Sequence, residues 1–223
     1  MTRAVEIGLE DAVLHGDLTL PSGAEGLVIF AHGSGSSRLS PRNRFVAGVI
    51  NHAGLGTLLM DLLTEDEERV DEMTRELRFD IGLLGRRVAQ VVEWAGGRKE
   101  LSGLAVGLFG SSTGAAAALV AAAELPADKV QAVVSRGGRP DLAGGALPRV
   151  ECPTLLIVGG LDDVVIGLNE QARARMSCST ELVIVPGATH LFEEPGTLEQ
   201  VARLAAEWFA RHLAGVEQAA SVR

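Results

Sequence analysis

The sequence predicts an α/β fold, with a mostly parallel central sheet and helices on both of its faces. Three observations predict it. Apolar, β-branched runs recur along the chain at 26–31, 57–60, 104–109, 130–134, 153–158 and 181–185. Helical patterns separate most of them, the alternation that produces parallel strands joined by crossover helices. The chain is 223 residues long and 47% hydrophobic, enough for one large core and short for two. Residues 1–223 are therefore read as a single domain.

Each element follows from a local pattern. Residues 5–20 show short alternating segments, expected to form an antiparallel hairpin. Gly26 to Ala31 reads as a central strand, Asn43 to Ala53 as a helix and Thr57 to Met60 as the next strand. Leu62 to Asp71 carries Glu65-Asp66-Glu67-Glu68 and reads as a solvated acidic loop. Thr74 to Ala95 places Leu77, Ile81, Leu84, Val88 and Val91 on one face of a long helix. Leu104 to Phe109 is a buried strand, and the alanine-rich run from Gly114 a helix. Val130 to Val134 is another strand. Residues 136–152 allow only a short loop or helical turn, so no large lid is expected. Strands at 153–160 and 181–186 follow. Thr197 to Leu213 closes the fold, with Leu198, Val201, Leu204, Ala205 and Trp208 facing the sheet.

Composition narrows the function. A net charge of −9 argues against nucleic acid and anionic membrane as partners. No apolar stretch reaches the ~18 residues of a membrane span, and Met1-Thr2-Arg3-Ala4-Val5-Glu6 is unlike a signal peptide. The expected compartment is the cytoplasm. Cys152 and Cys178 do not suggest a disulfide framework, and the histidines are too isolated to form a metal site. Gly33-x-Gly35 weakly resembles a dinucleotide loop, but Arg38 stands where its third glycine belongs. No Walker A sequence occurs. No cofactor is expected.

The chemistry centres on Ser112. Gly110-Ser111-Ser112-Thr113-Gly114 lies between the strand at 104–109 and the helix that follows. A G-x-S-x-G pentapeptide in that context is the nucleophile elbow of α/β-hydrolases; the plain alternative is a helix start with Ser111 or Ser112 as N-cap. An acid and a base follow in order. Asp162 and Asp163 stand just beyond one strand, and His190 stands four residues past the last, where functional residues of open sheets collect. The order serine, aspartate, histidine is that of the α/β-hydrolases. In Gly159-Gly160-Leu161-Asp162-Asp163-Val164-Val165 the phase of the motif selects Asp162 over Asp163, with helix N-capping as the alternative role for either. His32-Gly33-Ser34 follows the central strand. A His-Gly-x turn there supplies an oxyanion amide, assigned to Ser34 with the Thr113 amide as partner. His32 itself reads as structural. His15 falls in a strand pattern, and His52 and His212 close helices.

Two basic loops adjoin these motifs. Arg38-Leu39-Ser40-Pro41-Arg42-Asn43-Arg44 follows the oxyanion turn, and Ser135-Arg136-Gly137-Gly138-Arg139-Pro140-Asp141 follows the strand at 130–134. Arg38, Arg136 and Arg139 are candidates to bind a carboxylate or phosphate on a small-molecule substrate; surface ion pairing is the alternative.

Together these stretches resemble an α/β-hydrolase of the dienelactone hydrolase-like group, over Val28 to about Leu213. Phe30 to Ser37, Phe109 to Gly114, Ser135 to Asp141 and Pro186 to Gly196 are similar to a bacterial subgroup of that family. Some relatives in that subgroup carry a phosphoribosyltransferase domain on the same chain, for which this sequence is expected to leave no room. The resemblance implies a Ser112–Asp162–His190 triad. Dienelactone hydrolases of the family use a cysteine nucleophile, whereas this chain has Ser112, so the resemblance carries fold and triad rather than substrate. The expected function is a serine hydrolase of small soluble esters, lactones or thioesters. An acyltransferase would use the same residues, and a non-catalytic binding protein that kept the fold is the second class. The sequence leaves open whether the chain forms a homodimer.

Overall fold

A computed structural model of the protein describes residues 1–214. The chain runs β1 (Thr2–Gly8), β2 (Val13–Thr19), β3 (Gly26–Ala31), α1 (Pro41–His52), β4 (Gly56–Met60), α2 (Glu65–Thr74), α3 (Ile81–Gly96), β5 (Ala105–Ser111), α4 (Thr113–Glu124), β6 (Ala132–Arg136), β7 (Thr154–Gly159), α5 (Asp163–Arg175), β8 (Thr180–Val185) and α6 (Thr197–Leu213). Short 3-10 segments cover Leu77–Phe79 and Pro140–Arg149. The eight strands form one sheet in the order β1-β2-β4-β3-β5-β6-β7-β8. β1 pairs with β2, and β2 with β4, antiparallel; every other pair is parallel.

Alternation along the strands divides the core. Val28, Phe30, Phe109, Val134 and Ile157 point to the layer of α1 and α6. Leu27, Ile29, Leu58, Leu108 and Val133 point to the opposite layer, which holds α3 and α4. Buried on both faces, these strands read as unbroken apolar runs rather than alternating ones. Ala115 to Ala118 are fully buried in α4, and their small side chains let the helix lie close to the sheet.

The topology also positions the site. The chain leaves β3 for β4 on one side and returns to β5 on the other. The loops after β3 and β5 therefore face each other across the switch in strand order, the place where ligands bind in open α/β sheets.

Three readings of the sequence need correction. Residues 62–71 are not a solvated loop, because α2 begins at Glu65. Thr64 caps it, its hydroxyl accepting the Glu67 amide while the Glu67 carboxylate accepts the Thr64 amide. Its acidic residues are not all solvated either, since Glu67 binds the buried Arg87 and Asp71 binds Arg78. The long helix does not begin at Thr74; Asp80 caps α3, its carboxylate accepting the Leu83 amide. Ser135 and Arg136 are not loop residues: they continue β6, opposite Gly110 and Ser111.

Candidate active site

Ser112 lies between β5 and α4 with φ 51° and ψ −121°. Only three non-glycine residues have positive φ among the described residues, and Ser112 is one of them. Its neighbours show why the turn needs glycines. A Cβ on Gly110 would stand 2.4 Å from Ala115 Cα, and one on Gly114 would stand 2.2 Å from the Ala31 carbonyl oxygen. The elbow is thus pressed against both its own helix and the end of β3. The Ser112 amide donates to the Arg136 carbonyl at 3.2 Å, and its carbonyl accepts the Arg139 amide at 3.0 Å. These bonds hold the strained residue from the β6 side.

Asp162 and His190 meet. His190 Nδ1 lies 2.7 Å from Asp162 Oδ2. Asp162 stands at the N-cap position of α5, but its carboxylate makes no capping bond; it turns to the imidazole instead. Asp163 is the first residue of α5 and is exposed. His190 sits on the loop after β8, beside Gly137: a Cβ there would lie 3.0 Å from the His190 carbonyl oxygen and 3.6 Å from its Cε1. The segment from Arg136 to Arg139 is thus bonded to Ser112 and packed against His190.

The loop after β3 meets the elbow. A Cβ on Gly33 would stand 3.0 Å from Ser112 Cβ. The Ser34 amide donates to the Thr113 hydroxyl at 2.9 Å. Sequence reasoning pairs the Ser34 and Thr113 amides and does not anticipate this side-chain bond. His32 is structural, as read. Its Nδ1 bonds the Gly33 carbonyl at 2.9 Å, and its Nε2 accepts the Leu62 amide at 3.1 Å. Burial pushes its pKa below the ordinary 6.5. A narrow hollow of about 10 Å³ adjoins the loop, lined by Ser34, Thr113, Leu62, Leu63, Leu84 and Arg78 among others.

The three candidate arginines differ. Arg38 pairs with Asp61, and Arg139 makes a two-pronged bond to Asp141 at 2.8 and 2.9 Å. Both have carboxylate partners. Arg136 is 7% exposed, and its Nε and Nη1 have no hydrogen-bond partner among the described residues. Burial, with a smaller contribution from the Arg42 charge, lowers its pKa to about 10. Arg42 bonds Glu193 through Nη1 at 3.2 Å, while its Nε is buried and unpaired.

Two residues of the His190 loop escape sequence reasoning. Phe192 is buried with φ 56°, its ring 3.4 Å from where a Gly137 Cβ would be. Glu194 accepts both the amide and the hydroxyl of Thr189. No motif marks either. A phenylalanine at positive φ has no local signature, and a glutamate five residues from its partner looks like ordinary surface.

Neither cysteine is near the elbow. Cys152 is buried before β7, which pushes its thiol up to about 12, and Cys178 follows α5; both are free. Among the described residues no cluster of His, Cys, Asp or Glu suits a metal, and no helix is long and apolar enough to cross a membrane.

Comparison with known proteins agrees with this architecture. The dienelactone hydrolase family model matches residues 50–218. A dienelactone hydrolase from Anabaena variabilis is 58% identical, with a TM-score of 0.93 over 96% of this chain and 98% of that one. A Pyrococcus furiosus esterase shares the fold at 18% identity, with a TM-score of 0.76 over 96% of this chain and 94% of that one. Two curated Mycobacterium tuberculosis proteins, from strains CDC 1551 / Oshkosh and H37Rv, are 58% identical over 200 residues, 90% of this chain. Both are provisionally named phosphoribosyl transferases, and the chain spans 44% of their length.

Proposed function

The chain belongs to the dienelactone hydrolase family and is a hydrolase, and from that premise we propose that it cleaves small soluble esters, lactones or thioesters through Ser112, His190 and Asp162. His190 Nε2 takes the Ser112 proton as Oγ attacks the acyl carbon. The tetrahedral intermediate collapses, and the leaving group departs with that proton. Water then gives a proton to His190 and attacks the acyl-enzyme, releasing the acid and free Ser112. Asp162 fixes the imidazole tautomer and stabilises the imidazolium between these steps. The Thr113 amide, at the start of α4, faces the developing oxyanion together with the turn at Ser34.

The observation that carries this reading is the backbone of Ser112 at φ 51°. Such strain persists only where the surroundings enforce it, and it concentrates at functional sites. Here it coincides with an imidazole bonded to a carboxylate across the neighbouring segment. The name borne by the two curated relatives belongs to proteins of which this chain spans 44%. The test is hydrolysis of p-nitrophenyl acetate: Ser112→Ala should lose kcat by a factor on the order of 10³ or more. Equal rates would refute the reading.

In this reading the substrate carries a carboxylate or phosphate that meets Arg136. A buried guanidinium without a counterion costs several kcal/mol, and a bound anion would offset that cost. The matched pair p-nitrophenyl hemisuccinate and p-nitrophenyl acetate reads the effect. Arg136→Met should lower the ratio of their kcat/KM values about tenfold or more, and the variant should melt higher because a buried charge has been replaced by apolar bulk. An unchanged ratio with a lower melting temperature would make Arg136 a structural residue.

A further inference from the structure

We infer that the Thr113 side-chain hydroxyl donates to the oxyanion beside the Thr113 amide, carrying the contribution of the Ser34 amide that is bonded to it. The inference rests on the serine hydrolase reading of Ser112. Three observations lead to it. The Ser34 amide ends on Thr113 Oγ1 at 2.9 Å. Thr113 is 4% exposed and lines the hollow beside the oxyanion turn. Its own amide belongs to the first residue of α4, where no intrahelical acceptor exists.

Placement follows from covalent connection. Oγ1 is attached to the residue that supplies the amide of the hole, and it accepts the amide proton of Ser34. It therefore sits beside the Thr113 amide, on the side from which Ser34 approaches. Its proton inventory decides the role. A hydroxyl has one proton to give and two lone pairs. Ser34 uses one lone pair. The proton reaches no acceptor among the described residues, since no hydrogen bond donated by Thr113 Oγ1 is present. The usual outlet for a helical threonine, the carbonyl four residues back, belongs to Phe109 in β5. The hydroxyl is thus oriented by Ser34 and left with a free proton. Accepting the Ser34 bond also polarises the O–H, which strengthens it as a donor. As charge builds on the acyl oxygen, Ser34 acts through Thr113, since its single amide proton is spent on Oγ1.

Sequence reasoning assigns only the amide of Thr113. The side chain enters because the switch in strand order brings the loop after β3 against the elbow. A threonine directly after the nucleophile carries no such meaning until its partner is known.

The experiment compares Thr113→Val, nearly isosteric but without the hydroxyl, with Thr113→Ser, which restores it, alongside wild type and Ser112→Ala. Melting temperatures establish that each variant is folded. Steady-state hydrolysis of p-nitrophenyl acetate gives kcat and KM, and inhibition by a boronic acid reports binding of a tetrahedral oxyanion. The expected result for Thr113→Val is a kcat lower by about 10- to 100-fold, below the full effect of a dedicated hole donor. KM should be little changed, and the boronic acid should weaken in proportion to kcat. Thr113→Ser should recover most of the loss. A folded Thr113→Val with kcat at or above wild type would overturn the inference, making the hydroxyl a plug that the substrate displaces. A loss confined to KM would overturn it as well. Failure of the serine reading looks different, because Ser112→Ala would then hydrolyse the ester as fast as wild type.

Discussion

Gly114→Ala tests how tightly the fold presses the elbow into place. The added Cβ would stand 2.2 Å from the Ala31 carbonyl oxygen and 2.3 Å from that of His32. Ordinary contact begins at 3.4 Å, so one side must yield by about 1 Å. Neither obstacle can rotate aside, because both belong to the backbone at the end of β3 and the start of the oxyanion turn. The clash therefore pushes the turn away from Ser112, or Ser112 away from the turn. Overpacking of this kind costs about 1–3 kcal/mol, and each kcal/mol lowers the melting temperature of a domain this size by roughly 2–4 °C. A displacement near 1 Å at a reacting centre costs on the order of 10² in rate. Thermal unfolding and ester hydrolysis measure the two effects on one preparation. Gly48→Ala is the control: Gly48 lies in α1 with nothing within 4 Å of its added Cβ, and alanine should stabilise the helix by up to about 1 kcal/mol. Gly114→Ala at wild-type melting temperature and wild-type kcat would refute the claim that the elbow is clamped between α4 and β3.

Other consequences follow from single contacts. Asp162→Asn should lower kcat by about 10⁴-fold through the wrong imidazole tautomer, while Asp163→Asn should cost only the stability of an acid in the first turn of α5, about 0.3–1 kcal/mol; equal losses of kcat would contradict the assignment. His32 is held neutral, donating from Nδ1 and accepting at Nε2, and burial lowers its pKa. Below pH 6.5 the unfolded chain binds a proton that the folded chain refuses, so stability falls with pH by at most about 1.4 kcal/mol per unit. His32→Gln should flatten the melting curve against pH between 6.5 and 5, and an unchanged slope would contradict the assigned bonds.

The parts of the candidate site that are legible in the sequence are those with local grammar. The glycines around Ser112, the turn His32-Gly33-Ser34 and the residues after β7 and β8 each announce a backbone geometry within a few positions. The α/β alternation announces the sheet, and with it the end where these loops gather. What stayed hidden depends on distant partners. The acidic run after Leu63 looks solvated until Arg87, twenty residues on, is seen to bind Glu67. Arg136 looks like a loop cation until pairing with Ser111 draws it into β6 and buries it. The Thr113 hydroxyl gains a partner only when Ser34, 79 residues earlier, lies against it.

The most direct test of the account is intact-mass spectrometry after exposure to a fluorophosphonate, with wild type and Ser112→Ala side by side. Phosphonylation requires an activated hydroxyl, a base to take its proton and a hole for the phosphoryl oxygen. The account predicts one adduct on wild type and none on the variant. An unlabelled, well-folded wild type, or an adduct that persists in Ser112→Ala, would contradict it.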